Sequence, residues 1–121
     1  MIELVYNDVP PSLNRLGTRG SRWTVTRQKT RWQDIFEQLL MASGLLRDQE
    51  QIRATAQIRL PVRRRRDEGN YRWLLEKALG DALVNGRWLP DDTPEYFTFG
   101  EVTFEEPGPA RTTVTLEVVG A

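Results

Sequence analysis

The longest strict alternation in the chain lies between Ile52 and Val62. Ile52, Ala54, Ala56, Ile58, Leu60 and Val62 fall on one side, and Arg53, Thr55, Gln57 and Arg59 on the other. Successive side chains of a strand point to opposite faces, so this spacing predicts a strand with one face on a core and the other in solvent. Such a strand has to be covered by elements with matching apolar stripes. Trp32, Ile35, Phe36, Leu39 and Leu40 recur at helical spacing and predict a helix over about 27–43, with Thr26 as its N-cap. Leu75, Ala78, Leu79 and Ala82 predict a second helix over about 70–85, stopped by Gly86.

Shorter signals complete the order. Ile2, Leu4 and Tyr6 share one side of a strand that Pro10-Pro11 ends, and the segment from Pro10 to Gly20 reads as an exposed loop. Trp23-Thr24-Val25 reads as a short strand. Two strands near 95–105 and 111–119 follow, with Pro107, Gly108 and Pro109 as a hairpin connection between them. The expected architecture is a single α+β domain over residues 1–121, a mixed β-sheet packed with two helices in the order β-β-α-β-α-β-β.

Composition narrows the chemistry. The chain has no cysteine and no histidine, which removes thiol nucleophiles, zinc–thiolate sites and imidazole general bases. Catalysis would then run on carboxylates, Lys, Tyr or a metal, and oxygen ligands alone suit Mg²⁺ or Mn²⁺. No stretch approaches the roughly 18 apolar residues of a membrane span, and Glu3 and Asp8 stand where a secretory leader would be basic and then apolar. A cytoplasmic protein with no membrane partner is expected.

The net charge of zero hides an asymmetry. Residues 1–66 hold 13 of the 17 basic side chains and 6 acidic ones, and residues 67–121 hold 4 and 11. Fifteen of the basic residues are Arg, whose planar fork suits phosphate. One reading is that the halves neutralise each other across the fold. The other sets a basic nucleic-acid face beside an acidic metal cluster.

The sharpest constellation is Arg63, Arg64, Arg65, Arg66, Asp67, Glu68, Gly69 and Asn70, between the alternating strand and the second helix. Arginines offer bidentate donors and a helix start adds free N–H groups, so an anion fits there, with Asp67 placed to hold a metal against it. A solvated charge run is the plain alternative. Asn70, Lys77 and Asp81 share one face of the helix. Lys77 can reach toward what Asp67 holds, and Asp81 can ligate or pair with Lys77 one turn away. Beyond the helix, Trp88-Leu89-Pro90 would pin a loop from which Asp91 and Asp92 project. A helix of about 16 residues spans roughly 24 Å, so joining both acidic ends requires the loop to fold back or a second subunit to contribute.

Four stretches, PPSLNR (10–15), RRRRD (63–67), EKALGDAL (76–83) and WLPDD (88–92), resemble in order the motifs of the RusA-type Holliday-junction resolvases. The resemblance implies a homodimeric, Mg²⁺- or Mn²⁺-dependent endodeoxyribonuclease that cuts four-way or related branched DNA. It assigns metal and catalytic roles to Asp67 and Asp92 and a catalytic role to Lys77. Asn14, Arg15, Arg19, Arg63, Arg64, Arg65, Arg66 and Asn70 are the expected DNA contacts. The family's middle aspartate corresponds to Gly69, and the spacing to Lys77 is longer by about four residues, close to one turn or about 5 Å. Glu68, Glu76 and Asp91 can supply the missing carboxylate, and Glu68 is the nearest. The alternatives are a non-catalytic branched-DNA-binding module and a protein-interaction subunit that uses its opposed charges.

Overall fold

The alternating segment forms the strand β2 (Gln51–Arg59), an interior strand of the sheet with one face buried and the other exposed. The alternation itself runs one residue further to a buried Leu60, but Pro61 has no N–H to give a neighbouring strand. This computed structural model describes residues 1–12, 22–62 and 69–120, with no side-chain description for residues 22, 23, 69 and 70. The remaining elements are β1 (Ile2–Tyr6), α1 (Arg22–Ser43), α2 (Gly69–Asn85), β3 (Phe97–Phe104) and β4 (Arg111–Val119). The order β1-β4-β2-β3 makes one mixed sheet, with β2 parallel to β3 and antiparallel to β4, and β1 antiparallel to β4. The α+β class with a mixed sheet and two helices is therefore as expected.

The core lies on one side of this sheet. Ile52, Ala54, Ala56 and Ile58 pair across the ladder with Val118, Leu116, Val114 and Thr112, and all but Val118 are buried. Trp32, Phe36 and Leu40 of α1 and Leu74, Leu75, Ala78, Leu79, Ala82 and Leu83 of α2 join the same apolar cluster. Both predicted stripes are thus the ones used. The opposite sheet face carries Arg53, Thr55 and Gln57 in the open.

Two expectations are corrected. Trp23-Thr24-Val25 is the first part of α1, which starts at Arg22, so there is no strand there and Thr26 is no N-cap. Val25, seven residues before the buried Trp32, continues its stripe and packs on the core. Core burial on a helix outweighs the β preference of Thr and Val. The Pro107-Gly108-Pro109 connection is also no hairpin, because β3 and β4 are not neighbours. It carries the chain past the end of β2, held by Glu105 N–H to the Ile58 carbonyl (2.9 Å), Gly108 N–H to the Leu60 carbonyl (3.0 Å) and Arg59 Nε to the Pro109 carbonyl (2.7 Å).

Gly86 does follow α2, but not for the reason its position suggests. Arg87 takes the left-handed conformation, with φ 62°. The amides of Arg87 and Trp88 close back on the carbonyls of Val84 (3.1 Å) and Leu83 (2.9 Å), the paired bonds of a Schellman end. A Cβ on Gly86 would lie 1.9 Å from the Trp88 ring. Glycine is needed there so that the indole can turn under the helix end.

Candidate functional site

Trp88 is the anchor of the loop that follows. Its ring is buried, its indole N–H donates to the Leu45 carbonyl at 3.0 Å, and the Arg47 guanidinium stacks 4.1 Å from its ring centroid. Asp48 and Gln49 donate their amides to the carbonyls of Arg87 (3.0 Å) and Trp88 (2.8 Å). With Leu89 also buried, the chain leaves the helix end in a fixed direction. At the far side of the loop, Tyr96 and Phe97 both close on the Thr93 carbonyl at 2.9 Å.

Held at both ends, the loop runs back along α2. Asp92 comes to rest beside the helix at Gly80, where a Cβ would sit 3.4 Å from that of Asp92. Lys77 Nζ then lies 3.3 Å from Asp81 Oδ1 and 3.9 Å from Asp92 Oδ2, with all three side chains part-exposed. Lys77 stands roughly 12 Å from either end of α2 at about 1.5 Å per residue. The fold-back thus brings Asp92 level with Gly80, about 8 Å from the end of α2 and roughly a third of the way along it. Asp91 is exposed and accepts the Asp92 amide on Oδ1 at 2.7 Å.

Of the residues proposed from sequence, the fold brings Lys77 and Asp92 together, and Asp91 stays beside Asp92 only as its chain neighbour. Asp81 joins them through its pair with Lys77. Asp67, Glu68, Asn14, Arg15, Arg19, Arg63, Arg64, Arg65 and Arg66 lie outside the described residues, as does the side chain of Asn70, whose backbone is in the first turn of α2. Among the described residues no group of three carboxylates is disposed to hold a metal ion. Glu76 on the next turn lies 3.8 Å from Arg72, itself hydrogen-bonded to the Phe99 carbonyl.

Asp92 and Lys77 open onto a cleft of about 540 Å³ that is also lined by Lys29, Trp73, Glu76, Pro94 and Phe97. Lys29 belongs to α1, two residues from both Arg27 and Arg31. The structure divides those three. Arg27 and Arg31 line a separate groove of about 660 Å³ along α1 and Tyr6, whereas Lys29, half-buried, turns toward α2. None of the residues proposed from sequence lines that larger groove. A usable signal for Lys29 was present, since it and Lys77 are the only lysines in the chain.

The donor set is compatible with a hard divalent cation. Asp92 presents a half-exposed carboxylate at the cleft, Asp91 uses one oxygen for the Asp92 amide and keeps the other outside that bond, and no softer ligand competes. Among the described residues no helix is long and apolar enough to cross a membrane. No protein-family model matches this sequence, and no curated protein matches it.

Proposed function

We propose that this protein is a cytoplasmic, metal-dependent endodeoxyribonuclease of the RusA type, acting as a homodimer on four-way junctions or related branched DNA. The observation that carries the reading is the approach of Asp92 to Lys77, 3.9 Å between side chains that are distant in sequence. The resemblance selects these two residues on separate motifs, with no knowledge of the fold. Asp92, with Asp67, Glu68 and Asp91, would hold Mg²⁺ or Mn²⁺, and the metal supplies water activation and charge stabilisation for phosphodiester hydrolysis. Lys77 presents its ammonium to a non-bridging phosphate oxygen, offsetting the charge that grows there as the bond to the leaving oxygen breaks. Asp81 keeps that ammonium beside Asp92. The Trp88 anchor fixes the height of Asp92 along the helix. The arginine run Arg63–Arg66 stands two residues before α2 in the sequence and supplies sequence-independent affinity for the DNA backbone.

Gly69, where the family has an aspartate, favours a second reading, a branched-DNA-binding module that does not cut. A single panel separates the two: wild-type protein with a synthetic four-way junction, linear duplex and single strand, in Mg²⁺, Mn²⁺ or EDTA. Cleavage of the junction in metal and none in EDTA is expected. Tight junction binding with no cut product in either metal would instead establish the binding module, and no preference for branched DNA would remove both.

A further inference from the structure

Seventeen basic residues serve this chain, and only two are lysines, Lys29 and Lys77. They sit on different helices and line the same cleft, next to Asp92. Two ammonium groups in one small cleft repel each other unless negative charge offsets them. Lys77 has that charge, shared between Asp81 and Asp92. Lys29 forms no ion pair among the described residues, although it is half-buried. Glu76, the remaining carboxylate of the lining, has Arg72 at 3.8 Å to balance it. The charges around the cleft balance in number, but Lys29 alone among them has no carboxylate within ion-pair distance among the described residues. Its walls add an apolar surface of Trp73, Pro94 and Phe97, and the Trp73 indole N–H has no acceptor among the described residues.

We infer that Lys29 is a substrate-binding residue, taking a nucleic-acid phosphate neighbouring the one at Lys77 and Asp92, with the sugar and base edge against Trp73. The inference rests on the nuclease reading for the identity of the strand, but the phosphate site itself has its own test. A compact ammonium on a flexible stem suits a phosphate met from one side. The apolar wall suits a nucleotide better than a bare anion.

Thymidine 3′,5′-bisphosphate is the direct probe, titrated into ¹⁵N-labelled protein while the Trp73 indole N–H resonance is followed, with Trp73→Phe to assign it. Saturable movement of that resonance is expected in the wild type, with affinity about tenfold lower in Lys29→Ala and largely kept in Lys29→Arg. The four-way junction forms the second arm. There Lys29→Ala should weaken binding across sequences and reduce the slope of log affinity against log salt by about 0.9. A wild type that ignores the bisphosphate, or a Lys29→Ala protein that matches it in both arms, overturns the inference, and junction cleavage in that case leaves the nuclease reading intact. A bisphosphate site that depends on Lys29, in a protein that binds no DNA of any architecture, keeps the phosphate site and removes the nuclease reading.

Discussion

Asp92→Asn is expected to reduce metal-dependent junction cleavage by about 10²–10³-fold or more while leaving the fold in place. Asn preserves the size of the side chain and its place beside Gly80, but it removes the charge that a divalent cation and the Lys77 ammonium both need. Stability should stay within about 0.5 kcal/mol of wild type, because the Lys77 to Asp92 pair is part-exposed and screened and Lys77 keeps Asp81. Junction affinity in EDTA should also be retained, since it comes from the basic segments. A variant that binds poorly and cuts normally would assign Asp92 to DNA contact.

The largest effect on stability is expected at Trp88. Its truncation to alanine removes one of the bulkiest fully buried side chains and leaves the Leu45 carbonyl without its donor, so a loss of about 3–5 kcal/mol follows, or about 10–20 °C in Tm. Urea unfolding followed by circular dichroism measures it. Trp88→Phe, which keeps a ring under Arg47 but not the N–H, should lose only about 1–2 kcal/mol. A loss below 1 kcal/mol for the alanine variant would mean that the loop is anchored elsewhere. Because the same indole sets where Asp92 lies along α2, the alanine protein should lose cleavage even at temperatures where it is folded.

What could be read from the residues alone follows the reach of each interaction. Period-two burial at Ile52–Leu60 and the helical stripes at Trp32–Leu40 and Leu75–Ala82 are local patterns, and each became the element it predicts. The segment Trp23-Thr24-Val25 misled because β-branched residues carry a local preference that burial of Val25 in the stripe of Trp32 overrides. The Pro107–Pro109 connection misled for a different reason. Turn residues report that the chain changes direction, not which strand it joins next, and β4 joins β2 and β1. The bulge in β3 was legible in principle. Phe97 and Phe99 alternate in one phase and Val102 and Phe104 in the other, and the register with β2 shifts between them.

For the site, the identity of Lys77 and Asp92 came from motifs and their meeting came from tertiary structure. The Trp88-Leu89-Pro90 triplet did announce an anchored loop. Its direction depended on Leu45, Arg47 and Gln49, partners that no spacing rule connects to Trp88. Lys29 stood out only by its residue type, since the rest of the cleft it lines comes from other elements.

The central claim is that Lys77 and Asp92 act as one unit on the scissile phosphate, and a double-mutant cycle tests it most directly. Single-turnover cleavage of a four-way junction in saturating Mg²⁺ is measured for wild type, Lys77→Ala, Asp92→Asn and the double variant. Groups that act together are strongly non-additive, so the double variant should cleave no more than a few-fold more slowly than the worse single variant. Independent losses that multiply, or a wild-type rate in either single variant, would contradict it.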